Sequence, residues 1–183
     1  MIVGRKSFKH ALLRFCKANK CVLHTPRRLT HRSTGQPKGC PLTQTLGVTK
    51  GHIVLHSSHF QVNEAWIAFQ LNEAPVQAAE DGNFNLIALM DAASCFLLSN
   101  ALVPASSDEP SKLEARSLLK KGRAHKKELP KTLFIPREQA ANLLAAEAER
   151  QGITVVRVPE DLLLLFISEA REGFKEFSER GVP

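Results

Sequence analysis

Apolar and polar positions change rhythm several times along this chain. Between residues 65 and 103 the apolar positions come in short, almost unbroken runs: Ala65 to Leu71, Phe84 to Met90 and Cys95 to Val103. Runs of that length, bounded by turn residues, read as buried strands rather than as helices. Asp91 to Ser94 separates the second run from the third and has the length of a hairpin turn. Asn72 to Asn83 holds Pro75, Asp81 and Gly82 and reads as a connection, and Pro104 to Pro110 as a loop.

Beyond Pro110 the period lengthens. Ser111 followed by Glu114 is a capping-box pattern, in which a hydroxyl takes the third helical amide and a carboxylate reaches back. It opens a helix to about Lys121 with Leu118 and Leu119 inward. Lys131 to Ile135 follows Pro130 as a short strand. Arg137 to Arg150 is rich in Ala, Leu and Glu and reads as a helix stopped by Gly152. Ile153 to Val158 is a β-branched strand. Asp161 to Arg180 is a helix with Leu162, Phe166, Ala170, Phe174 and Phe177 on one face.

The predicted order is strand, hairpin, helix, strand, helix, strand, helix. Strands joined by short connections pair antiparallel, and strands reached through a helix return parallel. An α/β body over residues 60–183 follows: a mixed five-stranded sheet with helices on both faces.

Charge divides the chain in two. Residues 1–59 hold eleven Lys or Arg and no Asp or Glu, and the first acid is Glu64. Residues 60–183 hold 14 basic and 18 acidic residues, so the net charge of +7 comes from the first part alone. Residues 6–17 form an amphipathic pattern with Phe8, Leu12 and Phe15 at helical spacing among Lys6, Lys9, Arg14 and Lys17. Pro and Gly clusters from Thr25 to Pro41 then remove any period. Residues 1–59 are therefore expected to be a basic extension, largely irregular and partly disordered. Three readings fit it: a nucleic-acid-binding arm, an organellar transit peptide, and an extension upstream of the true start. The longest apolar run, Leu162 to Ile167, is far below the roughly 20 residues of a membrane span. Four cysteines in a chain of this length do not make a disulfide framework, which points to a reducing compartment. The expected location is cytoplasmic, or organellar if the N-terminus is a transit peptide.

The stretch Leu86 to Asp91, then a turn, a strand, a loop and a helix, then Pro130 to Ile135, a helix, and Gly152 to Val156, resembles the layout of ribonuclease-H-like cores, including those of retroviral-type integrases. The resemblance spans Trp66 to Phe177. It implies a ribonuclease-H-like sheet, and in active members a carboxylate on the first strand, another after the fourth and a third on a later helix, together holding two divalent metals. Here the first strand centres on Ala68, Phe69 and Gln70, and the fourth ends in Pro136 and Arg137. Glu138 comes next, Glu169 or Glu172 matches the helix position, and Asp91 sits at a turn that is structural in such cores. With two of three ligands missing, Asp91, Glu138, Glu169 and Glu172 are the only catalytic candidates, and no catalysis is expected.

Other candidates carry bland alternatives. Cys16, Cys21, His24 and Cys40 are spaced too loosely for established zinc motifs. His52 and His56 in an extended strand lie about 13 Å apart at ~3.3 Å per residue, too far for one metal with His59. Asp91, Ser94 and Cys95 form a hairpin turn whose Asp bonds backbone amides, with no histidine nearby to activate a nucleophile. Lys120, Lys121, Arg123, Lys126 and Lys127, with Lys112, Arg116 and Lys131, form a positive strip that suits either phosphates or a solvated helix end. Arg27 and Arg28 add to it from the N-terminal segment. The expected function is a non-catalytic protein associated with nucleic acid through these basic segments, with no cofactor. A degenerate nuclease-like enzyme and a protein-interaction module are the alternatives.

Overall fold

The computed structural model describes residues 55–78, 82–107 and 109–179. The amphipathic stretch 6–17, the zinc candidates Cys16, Cys21, His24 and Cys40, and His52, Arg27 and Arg28 lie outside them. Among the described residues six strands and three α-helices follow in order: β1 (Ala65–Gln70), β2 (Val76–Ala78), β3 (Gly82–Asp91), β4 (Leu97–Pro104), α1 (Lys112–Lys126), β5 (Thr132–Pro136), α2 (Asn142–Arg150), β6 (Thr154–Val158) and α3 (Leu164–Glu179).

β1 is the central strand. It runs antiparallel to β3, with Trp66 opposite Asp91, and parallel to β5, with Trp66 opposite Leu133. β4 continues antiparallel beyond β3, and β6 parallel beyond β5. The antiparallel triplet followed by two helical crossovers is the mixed α/β arrangement expected from the sequence, with helices on both faces. Alternation along β1 explains the two layers. Ala65, Ile67 and Phe69 face Phe166, Ile167, Ala170 and Phe174 of α3. Trp66 and Ala68 face the opposite core, built with Leu118 and Leu119 of α1 and Leu144 and Ala148 of α2. A strand buried on both sides needs an unbroken apolar run, which is what β1 has.

The sixth strand was not expected. Phe84 pairs with Val76 on one edge of β3 and with Pro104 on the other, so β2 resumes the line of β1 after a break. Buried Asn72 fills that break. Its Oδ1 accepts from the Leu86 amide at 2.6 Å and its Nδ2 donates to the Ala74 carbonyl at 2.8 Å. The side chain thus replaces ladder bonds that the backbone gives up before Pro75.

Three helix boundaries also differ from expectation. α1 has the foreseen Ser111–Glu114 box but runs on to Lys126 and closes on Lys127 at φ 65°. Gly122 does not end it, because this residue lies against Trp66 and Leu89, where a side chain would collide. α2 begins at Asn142, not Arg137. Arg157 donates to the carbonyls of Pro136 and Gln139, holding residues 137–140 as a turn, and Glu109 Oε2 accepts from the Leu143 amide. The last helix is preceded by a 3-10 turn over Glu160–Leu163.

Upstream of β1, Leu55 donates its amide to the Leu162 carbonyl at 3.0 Å, and Phe60 packs against Phe134 and Phe166. His56 and His59 cap a single 3-10 turn reciprocally. His56 accepts from the Ser58 amide, and His59 Nδ1 accepts from the His56 amide.

Candidate functional site

The sheet has two ends with different chemistry. At the end where β3 finishes and β1 begins lies Asp91, fully buried. Its Oδ1 accepts from the Asn63 amide at 2.7 Å, and its Oδ2 accepts from the Ser94 amide and hydroxyl and from Lys126 Nζ at 3.3 Å. Both oxygens thus accept hydrogen bonds, from four donors in all. This is the amide-binding turn aspartate the sequence suggested, with Lys126 added from a distance of 35 residues. Cys95, beside it, takes φ 52° in the turn.

At the opposite end, past the carboxyl ends of β1 and β5, a cleft of about 600 Å³ opens among Gln70, Asn72, Glu73, Asn85, Glu138, Gln139, Glu160 and Arg171. Arg171 organises it. Its Nε and Nη2 donate to the Gln70 carbonyl at 3.2 and 3.1 Å, and its Nη1 pairs with Glu160 at 2.7 Å. Gln139 Oε1 accepts from the Gln70 amide at 2.8 Å, while Gln139 Nε2 is buried with no partner among the described residues. Glu138 accepts from the Glu160 amide at 3.2 Å.

This donor set does not fit a two-metal centre. The first strand brings an amide, Gln70, and the last helix brings a guanidinium whose charge opposes a divalent cation. Among the described residues no group of three or more His, Cys, Asp or Glu side chains is placed to hold a metal. The four carboxylates singled out from the sequence are not assembled. Asp91 and Glu138 belong to opposite ends of the sheet: Trp66 lies beside both Asp91 and Leu133, and Pro136 is three residues further along β5, about 10 Å of strand. Exposed Glu172 lines a neighbouring groove, and exposed Glu169 lines neither cavity. Sequence reasoning missed Gln70, Gln139, Glu160 and Arg171. Their only signal was polarity at the ends of apolar runs, and the Gln70–Arg171 contact spans 101 residues.

The basic residues are better ordered than expected. Lys112, Arg116, Lys120 and Arg123 of α1 and its cap Lys127 are all exposed. At 3.6 residues per turn they fall within roughly 80° of arc, beside the arc of the buried Ala115, Leu118, Leu119 and Gly122, and extend over about 22 Å. Arg116 is tied to Glu147 at 3.3 Å and Lys126 to Asp91; Lys112, Lys120, Arg123 and Lys127 make no ion pair among the described residues. Lys121 is exposed but off the stripe.

Glu147 is the anchor behind the stripe. It accepts from Arg150 at 2.6 and 3.0 Å, from Gln151 at 2.8 Å and from Arg116 at 3.3 Å. Bonds from Arg150 and then Gln151, against the opposing effect of burial and with help from Arg116, hold its carboxyl at about 2, below the ordinary 4.5. A pKa lowered by folding adds stability that is complete above about 4.5 and drains away as pH falls toward about 2. Glu147→Gln is therefore expected to flatten the acid limb of a stability–pH curve measured by urea unfolding. An acid limb of unchanged steepness would show that Glu147 does not contribute to it.

No family model and no curated protein matches the chain. Among solved structures the chain is similar to one in the cryo-electron-microscopy structure of the simian T-cell lymphotropic virus intasome in complex with PP2A regulatory subunit B56 gamma. That similarity has 12% identity and a TM-score of 0.42, and covers 65% of this chain and 42% of that one. No helix among the described residues is long and apolar enough to cross a membrane.

Proposed function

We propose that this protein is a non-catalytic, nucleic-acid-associated protein with a ribonuclease-H-like body, and that α1 carries its phosphate-contacting surface. The stripe from Lys112 to Lys127 is the observation that carries the reading. Cations repeated along one exposed helix face suit a polyanion, whose phosphates also repeat, and each neutralised phosphate releases counterions. Arg27 and Arg28 in the acid-free N-terminal segment would add non-specific contacts. The antiparallel triplet and two crossovers support the ribonuclease-H-like reading of the body. The nuclease-like alternative is less well supported, because its carboxylates are dispersed and its cleft holds Arg171.

A gel-shift titration over salt tests the proposal. Binding to duplex DNA is expected to weaken linearly in log–log coordinates. The triple variant Lys120→Gln, Arg123→Gln, Lys127→Gln is expected to reduce the magnitude of the slope by roughly 2–3, at ~0.9 per phosphate contact. No binding at about 50 mM salt, or an affinity indifferent to ionic strength, overturns the reading.

A further inference from the structure

Two arginines from different helices converge on one buried carboxylate beside the basic stripe. The side chain of Glu147 in α2 is 1% exposed, whereas those of Arg116 in α1 and Arg150 in α2 are 50% and 57% exposed. Arg150 alone meets the carboxylate with two bonds, at 2.6 and 3.0 Å, and Gln151 adds a third at 2.8 Å. Arg116 then brings a longer fourth, at 3.3 Å. Arg116 Nε and Arg150 Nη2 end on the same oxygen, so they are no further apart than those two bonds laid end to end. Two positive charges thus share one negative charge. That charge persists at neutral pH, because these bonds, those from Arg150 foremost, hold the Glu147 carboxyl at about 2. Both Nη atoms of Arg116 and Nη1 of Arg150 have no hydrogen-bond partner among the described residues. Exposed Lys112 and Lys120 stand about one turn before and after Arg116 on the same helix face.

We infer that Arg116 and Arg150 together form a single phosphate site, held from behind by Glu147, and that its occupant is one backbone phosphate of the nucleic acid lying along α1. The inference rests on the reading of α1 given above for its occupant, and on α2 for its geometry. One guanidinium fork already matches one carboxylate, so the second leaves an excess of positive charge at the surface. Each guanidinium is bonded to Glu147 through Nε and keeps N–H donors that the carboxylate does not reach. A tetrahedral phosphate offers oxygens to both at once, with charge-assisted bonds to each. Fixing the two side chains in advance lowers the entropy lost when the phosphate binds. Lysine does not replace either arginine, because an ammonium lacks the planar fork that holds Glu147 and a phosphate in one fixed geometry. The nucleic acid then touches α2 as well as α1, and Glu147 is a positioning residue for the contact.

The test counts phosphates, by gel-shift titration of the full chain against duplex DNA over salt. Arg150→Gln is expected to weaken binding several-fold. Arg116→Gln and Arg150→Gln combined are expected to lower the magnitude of the salt slope by roughly 0.9 in total, the value for one shared phosphate. Two separate phosphates would give roughly 1.8. Arg150→Lys, which keeps the charge, is expected to keep the slope and still lose affinity. Lys175→Gln, on exposed α3 surface across the sheet, is expected to change neither. Circular dichroism checks that each variant is folded. An affinity of Arg150→Gln equal to that of the wild type, or a slope loss near 1.8 for the pair, would overturn the inference. A wild type that binds no duplex at about 50 mM salt overturns the α1 reading and this occupant together. A wild type that binds while Arg150→Gln makes no difference overturns the paired site alone.

Discussion

Asp91→Ala is expected to destabilise the body by about 3–5 kcal/mol, the range for removing one partner from a buried ion pair. The carboxylate is fully buried and serves four donors on three separate segments: the Asn63 amide, the Ser94 amide and hydroxyl, and Lys126 Nζ. Truncation strands all of them. Lys126, whose side chain is only 18% exposed, loses its counter-charge, and two amides in tight turns lose their acceptor. Asn63 matters most, because its φ of 65° is a left-handed conformation that the Asp91 bond helps to hold. Asp91→Asn keeps the shape and one acceptor oxygen, so a smaller loss is expected. Urea unfolding followed by circular dichroism measures both. A loss below about 1 kcal/mol for the alanine variant, the range of ordinary surface changes, would mean that the turn is held by packing alone.

The contrast between Asp91 and the cleft marks what the sequence can carry. Asp91 and Ser94 are three residues apart, so turn chemistry makes their bond readable. The strands were readable too, because burial on two faces writes apolar runs into β1 and β3. The cleft was not, since its contacts join Gln70 to Gln139 across 69 residues and to Arg171 across 101. No local pattern records them, and each residue alone looks like a polar end of an element. The misplaced start of α2 has the same cause. Residues 137–141 have good helix propensity, but Arg157 and Glu109, both distant in sequence, hold the backbone out of the helix until Asn142. Glu147 likewise looked like one acid among several on an Ala/Leu/Glu helix. Its bonds from Arg150 and Gln151 are local, three and four residues on, but the Arg116 contact from α1 comes from 31 residues away and left no local trace.

The other large effect lies one layer above Asp91, at Trp66. Trp66→Ala is expected to cost about 3–5 kcal/mol, since the indole is fully buried and its replacement leaves a cavity at the centre of the sheet. The indole N–H also donates to Asn63 Oδ1 at 2.9 Å, so the loss reaches the turn that Asp91 holds. Across the ring stands Gly122. A Cβ there would lie 2.8 Å from Leu89 Cδ2 and 3.0 and 3.1 Å from Trp66 Cζ3 and Cη2. The leucine methyl can rotate aside; the indole, packed on all sides, cannot. Gly122→Ala should therefore destabilise by about 1–2 kcal/mol, overpacking of about 1–3 kcal/mol outweighing up to about 1 kcal/mol of gained helix propensity. The two positions then predict each other. With Trp66→Leu in place the ring atoms are gone, and Gly122→Ala should become neutral or stabilising. Unfolding all four proteins of the cycle measures the coupling, expected at about 1 kcal/mol or more with the double variant better than additive. Equal costs of Gly122→Ala in both backgrounds would show that the indole does not set the distance between α1 and the sheet. Unequal costs would mean that the position of the basic stripe depends on a glycine and a tryptophan buried beneath it.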